Sequence, residues 1–195
     1  MQRLELGAGA FADFDVNWLS PARADTEFAT IRDGVEWTQG SLEWFGKSLP
    51  EPRLSAWYGD ADYSYSGRRL SARPLPSFLL ELRADVERAA ACRFNAVFLN
   101  FYRDGRDSMG LHSDDEPELG RNPVIASVSL GATRRFKLEP KRGRELAAQA
   151  FDLSHGSLLV LGGSCQHVFR HGIPKTTRPI ESRINLTFRW IVGPG

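Results

Sequence analysis

A chain of 195 residues with 42% hydrophobic content is long enough to close one sizeable core. No run approaches the roughly 18 apolar residues of a membrane span, Met1 to Asp13 lacks the basic-then-apolar layout of a secretion signal, and Cys92 and Cys165 show no CxxC spacing for a disulfide frame or thiolate zinc site. Twenty-five basic against 24 acidic residues leave a net charge of +1, which excludes a protein coated in positive charge for bulk polyanion binding.

The expectation is one monomeric, soluble, cytoplasmic domain over residues 1–195 with no membrane partner, its two cysteines ordinary thiols of the core or near-surface. Positive charge is local: Arg134, Arg135, Lys137, Lys141, Arg142 and Arg144 form one cluster, Arg68, Arg69 and Arg73 another. Composition by itself reads both as solvated loop charge.

In chain order, Ser20-Pro21 has the N-cap and first-turn chemistry of a helix start, with Phe28 and Ile31 three apart and Gly34 ending the run. From Trp37 to Gly67 aromatics alternate with Gly, Pro and other turn residues, which predicts short hairpin strands. Between Pro76 and Cys92, Leu79, Leu82, Val86, Ala89 and Ala90 recur at helical spacing and predict a second helix with one buried stripe. The period then shortens to two, over Phe94 to Tyr102, Val124 to Leu130, Arg135 to Leu138, Ser157 to Leu161 and Arg183 to Ile191. Short strands joined by turns such as His155-Gly156 and Gly162-Gly163 predict a mainly β fold with flanking helices, a sandwich or jelly roll.

Chemistry concentrates at a few places. Gly110-Leu111-His112-Ser113-Asp114 sets an imidazole and a carboxylate two positions apart, on one face of an extended segment. Two histidines and one carboxylate make the facial triad of non-haem iron(II) oxygenases, so a third ligand is required. His155 precedes a glycine in a tight turn and reads as structural, whereas His167 and His171 are not separated by sequence physics. In Arg183 to Arg189, the residues Arg183, Asn185, Thr187 and Arg189 share one strand face, and Ile184, Leu186, Phe188 and Trp190 the other. The two arginines are separated by roughly 20 Å of backbone and reach inward, a setting for a small ligand with two anionic ends. Asn100 and Tyr102 share a face of an earlier strand, offering an amide and a phenol.

The order NFYRDGRD, HSDDEPELG, ASVSLGATRRF, HGIPK, RINLTFR, running from about Phe45 to Trp190, resembles the AlkB family of alkylation-repair dioxygenases, its DNA-repair branch above all. The first forty residues carry no recognisable motif. The resemblance implies a double-stranded β-helix core over about 93–193, a supporting helix at about 76–92, and an N-terminal extension and nucleotide-recognition lid over about 1–75. It implies that His112, Asp114 and His171 hold Fe(II) and are the catalytic centre, HGIPK occupying the distal-histidine position. It gives Asn100, Tyr102, Arg183, Thr187 and Arg189 to 2-oxoglutarate, with dioxygen as the second co-substrate. The implied reaction decarboxylates 2-oxoglutarate to succinate, hydroxylates the N-alkyl carbon of a damaged base and releases an aldehyde.

A base inside a duplex cannot reach a buried metal, so the nucleotide must be flipped out. Tyr63 and Tyr65 match family positions lining the base pocket, where an aromatic face stacks a base for about 1–3 kcal/mol; aromatic core packing is the other reading of Tyr63. Asp115 and Glu116 match base-contacting acids that favour cationic lesions such as 1-methyladenine and 3-methylcytosine, or else are solvated loop acids. Phe45, Gly46 and Lys47 resemble a finger of duplex-active members: Phe45 as a wedge filling the void of the flipped base, or packed in the lid's own core, with Lys47 and Arg53 near phosphates. Alkylated DNA, double- and single-stranded, is the expected partner. The alternatives are a related oxygenase acting on RNA or a small molecule, and a non-enzymatic jelly-roll module with a structural metal.

Overall fold

The computed structural model describes residues 1–44, 47–60, 62–65 and 68–192, without the side chains of 42–44, 63–65 and 68–70. Its elements are β1 (Gln2–Gly7), β2 (Ala10–Asp15), α1 (Pro21–Gly34), β3 (Ser41–Trp44), β4 (Lys47–Pro50), β5 (Leu54–Gly59), β6 (Tyr63–Tyr65), β7 (Arg68–Leu70) and α2 (Leu80–Ala90). There follow β8 (Ala96–Tyr102), β9 (Met109–His112), β10 (Ile125–Gly131), β11 (Arg134–Pro140), β12 (Gln149–Leu153), β13 (Ser157–Gly163), α3 (Cys165–Val168), β14 (Phe169–Ile173) and β15 (Arg183–Arg189).

Two antiparallel sheets build the jelly roll: a large one in the order β1-β2-β13-β10-β15-β8-β5 and a small one in the order β12-β11-β14-β9. Period-two alternation sends opposite faces of the large sheet to different cores. Ile184, Leu186 and Phe188 of β15 join Val97, Leu99 and Val128 against Ile31 of α1 and Leu82 and Val86 of α2. The opposite face meets Leu138, Leu153 and Phe169 of the small sheet through Leu159 and Leu161. Both helices form where sequence chemistry places them: the Ser20 hydroxyl accepts from the Arg23 amide at 3.4 Å with Pro21 in the first turn.

In the C-terminal half three strands escape the periodicity, β9, β12 and β14. β9 and β14 each hold a glycine, and their pairing shifts register between His171 and Ile173, so neither shows a clean alternation. The large sheet also extends beyond residues 93–193. β1 and β2 form a hairpin whose second strand pairs with β13, and β5 pairs with β8, so part of the front segment is built into the sheet. In β2, Ala10, Ala12 and Phe14 share one face and alternate with Phe11, Asp13 and Asp15, a readable period-two pattern. Trp190 does not continue the apolar face of β15 but is half-exposed, because the strand ends at Arg189. Arg134 is not loop charge: it opens β11 and is buried. No helix among the described residues is long and apolar enough to cross a membrane.

Candidate active site

Antiparallel pairing of β9 with β14 sets His112 directly opposite His171, their ring centroids 4.4 Å apart. The close approach depends on Gly172, where a Cβ would lie 2.8 Å from the Met109 carbonyl oxygen and 2.9 Å from that of Gly110. Asp114 follows two residues past His112 and is fully buried. Its backbone amide donates to Gln166 Oε1 at 3.0 Å, and the Ser113 hydroxyl donates to the Phe169 carbonyl at 2.8 Å, so the turn after β9 is tied to α3 and β14. One ligand atom from each of His112, Asp114 and His171 lies within 4.8 Å of the others, and this is the one such cluster of metal-ligating side chains among the described residues.

The protonation states suit a cation. His112 Nδ1 lies 2.9 Å from the Gly110 carbonyl, a contact that orients the ring so that Nε2 faces Asp114 Oδ1 at 3.6 Å. Burial, followed by the neighbouring His112, pushes the His171 imidazole down to about 3, so it is neutral at pH 7. Burial alone would raise the Asp114 carboxyl, but the Arg189 guanidinium and the two imidazoles outweigh it and hold the group well below the usual carboxylate range. Asp114 Oδ2 accepts from Arg189 Nη2 at 2.8 Å and Nε at 3.3 Å. Oδ1 is buried without a hydrogen-bond partner, as is His171 Nδ1. A charged carboxylate and two imidazoles whose ligand atoms converge within 4.8 Å fit a divalent metal, and one oxygen with two nitrogens fit iron(II) with positions left open. A closed structural site would need a fourth ligand.

The metal cluster opens into a pocket lined by Asn100, Tyr102, Asn185, Thr187 and Arg189 among others, with apolar walls from Phe98, Ile125, Phe136, Leu159 and Leu161. Register explains the grouping: across β8 and β15, Tyr102 faces Arg183, and Asn100 faces Asn185. Arg183 is fully buried, its guanidinium 5.2 Å from the Tyr102 ring centre, with burial lowering its pKa to about 10. Nη2 donates to Ser129 Oγ at 2.8 Å and Asn185 Oδ1 at 3.3 Å, whereas Nε and Nη1 are buried without an acceptor. Buried guanidinium donors without an acceptor have the chemistry to bind an anion.

The structure therefore brings His112, Asp114, His171, Asn100, Tyr102, Thr187 and Arg189 around one pocket, with Arg183 behind Tyr102 and Asn185 rather than in the lining. It adds Ser127, Ser129, Asn185 and Gln166. Ser127 and Ser129 pair with Thr187 and Asn185 across β10 and β15, and their alternation with Ala126, Val128 and Leu130 was visible in the sequence. Gln166 had no such signal, since its partner is 52 residues away.

The expected nucleic-acid residues fare differently. Arg53 is corrected: it precedes β5, is 3% exposed, and spends its guanidinium on Asn100 Oδ1 at 2.8 Å and Glu51 at 3.5 Å, out of reach of a phosphate. Lys47 opens β4 and is exposed. Phe45 and Gly46 lie outside the described residues, as do the side chains of Tyr63 and Tyr65, whose backbones pair in β6 with Leu70 and Arg68 of β7. Asp115 follows Asp114 and is bound to Lys141 Nζ at 2.8 Å, and Glu116 is half-buried beside it. His155 accepts from the Gly131 amide at 2.8 Å, and His167 donates to the Arg121 carbonyl from an exposed position, both apart from the cluster.

The profile of the 2OG-Fe(II) oxygenase superfamily matches residues 14–189. Alpha-ketoglutarate-dependent dioxygenase alkB homolog 3 of Bos taurus is 39% identical over 86% of this chain, and the chain spans 62% of that relative's length. DNA oxidative demethylase ALKBH2 of Homo sapiens is 39% identical over 88% of this chain and 70% of its own. The solved structure of OsALKBH1 superposes with a TM-score of 0.65 at 18% identity, covering 97% of this chain and 100% of that one, a likeness of fold. With the ligand cluster and the pocket set on the same strands that carry the matching motifs, the chain belongs to the AlkB family of the 2OG-Fe(II) oxygenase superfamily.

Proposed function

We propose that the chain is an Fe(II)- and 2-oxoglutarate-dependent dioxygenase that removes alkyl groups from N-alkylated bases of DNA, 1-methyladenine and 3-methylcytosine among them. One observation carries this reading: a single pocket runs from the His112, Asp114 and His171 cluster to Tyr102 and Asn185, and directly behind these two lies the buried Arg183 guanidinium with donors that have no acceptor. The first suits a metal and the second a carboxylate, the two needs of a 2-oxo dicarboxylic acid chelating iron. The DNA substrate is supported by the relatives, which are named as dioxygenases and as a DNA oxidative demethylase.

In this reading His112 Nε2, Asp114 Oδ1 and His171 hold the iron, and Arg189 fixes Asp114 through its outer oxygen. Arg183 takes the distal carboxylate with Tyr102 beside it, while Asn100 and Thr187 line the span between. The apolar walls of Phe98, Phe136, Leu159 and Leu161 keep water from the reacting atoms. Bound iron with 2-oxoglutarate and dioxygen supplies oxidation of the N-alkyl carbon, coupled to decarboxylation to succinate, and the hydroxylated group leaves as an aldehyde. Asp115 and Glu116 lie beside the metal ligands, where negative charge favours cationic lesions. Tyr63 and Tyr65 stack the flipped base, and Phe45, Gly46 and Lys47 form the finger that holds the duplex open, so both double- and single-stranded DNA are substrates of a cytoplasmic monomer.

The test is purified protein with iron(II) and 2-oxoglutarate, offered methylated single- and double-stranded DNA and RNA, with succinate and unmodified bases measured by mass spectrometry. Stoichiometric succinate and repaired base from DNA are expected. Turnover confined to RNA, or uncoupled from every nucleic acid, would replace the substrate by RNA or a small molecule; no succinate under any condition would overturn the enzymatic reading.

A further inference from the structure

Arg134 was expected in a solvated basic loop, yet it is 3% exposed and lies behind the co-substrate pocket. Its Nη2 donates to the carbonyls of Asp107 at 2.9 Å and Pro174 at 2.7 Å, and Nη1 reaches that of Asp104 at 3.3 Å. These carbonyls belong to two connections. The first runs from β8, which carries Asn100 and Tyr102, to β9 with His112; the second runs from β14, which carries His171, to β15 with Arg183. A further bond, from the Thr176 amide to the Gly105 carbonyl at 2.8 Å, joins the same two segments. The Arg134 guanidinium lies 5.5 Å from the centre of the Tyr102 ring, to which Arg183 is also 5.2 Å away.

Burying a guanidinium is costly, and neutral carbonyls satisfy its hydrogen bonds without cancelling its charge. The buried carboxylate nearby, Asp107, is engaged in a two-pronged pair with Arg103 at 2.8 and 2.9 Å. Two arginines thus share one phenol ring at the end of the pocket where an anionic ligand is required, and one of them has its donors committed to backbone. Resting on the co-substrate assignment made above, we propose that Arg134 is a positioning residue for 2-oxoglutarate. It fixes Tyr102 and clamps the β8–β9 and β14–β15 connections, so that the Tyr102 end of the pocket, with Arg183 behind it, is preset for a carboxylate while the metal ligands at the other end are unaffected.

Lysine at this position keeps a charge but cannot span three carbonyls, and methionine keeps much of the volume without the charge. The experiment compares wild type, Arg134→Lys and Arg134→Met, loaded anaerobically with cobalt(II) or iron(II), by calorimetric titration with metal and then with 2-oxoglutarate. Both variants are expected to bind metal as wild type does and to bind 2-oxoglutarate about 10-fold or more weakly, the lower end of what residues behind a site contribute. Steady-state assays should show a raised KM for 2-oxoglutarate with kcat largely recovered at saturation. A lowered Tm with wild-type affinity for 2-oxoglutarate would make Arg134 a fold residue and overturn the proposal. Should both variants fail to fold, hydrogen exchange on metal-loaded wild type decides: 2-oxoglutarate is expected to slow exchange at 103–108 and 175–178, and unchanged exchange there overturns the clamp. Absence of 2-oxoglutarate binding by wild type would instead remove the co-substrate assignment itself, an outcome distinct from indifferent variants of a binding protein.

Discussion

At the scale of single residues, the site divides by what each side chain touches. His112, Asp114 and His171 converge on one point, so alanine at any of them should abolish turnover and remove most metal binding, whereas His167→Ala, outside the cluster, should keep most of both. Metal content and succinate yield on the same preparations check this, and an inactive His167 variant would reverse the ligand assignment. Arg183 and Arg189 look equivalent as two ends of one strand face, yet their surroundings differ. Arg183→Ala should raise the KM for 2-oxoglutarate with metal affinity unchanged, and lysine should not restore the fork of donors. Arg189→Ala strips the buried Asp114 of its charge partner and should also weaken metal binding, by about 10- to 100-fold for an outer-sphere partner. Titrating metal and co-substrate separately into both variants distinguishes the two, and identical profiles would refute the division.

At the scale of elements, the strands that bear the ligands are the ones periodicity missed. His112 and Asp114 were legible because HxD is a local pattern, and the β15 face because its alternation is regular; β14 was not, since a glycine and a register shift break its period. The same glycine yields a prediction. Gly172→Ala inserts a methyl under 3.0 Å from two carbonyl oxygens of the adjoining strand, which must part, costing about 1–3 kcal/mol and loosening the metal. Thermal denaturation with and without metal measures both, and an unchanged Tm would show that the strands can give way. Arg53 and Arg134 failed the opposite way. Local pattern marks an arginine as surface charge, whereas partners distant in the chain, Asn100 for Arg53 beside the nearby Glu51 and Pro174 for Arg134, help make burial tolerable. β3 and β4 form a two-stranded sheet of their own, with β4 exposed throughout. Phe45→Ala should therefore leave the fold and single-strand repair nearly intact while removing most duplex activity; equal losses on both substrates with a lowered Tm would mark Phe45 as packing.

For the whole molecule, the jelly roll was legible as a fold class, but not which strands its large sheet recruits, since the N-terminal hairpin joins through β13, far along the chain. The two sheets share out the site: His112 and His171 ride on the small sheet, and Arg183 and Arg189 on the large one. Between them, the Asp114 contact with Arg189 is the buried ion pair that bridges the halves. Catalytic competence is then a gauge of the gap separating two layers, finer than any measure of how much strand is present. Mild urea that lets the layers breathe should silence turnover while the far-ultraviolet dichroism of the sheets is still native. The activity midpoint should fall at lower urea than the dichroism midpoint, and saturating metal with 2-oxoglutarate, which ties both layers to one ligand, should draw the two curves together.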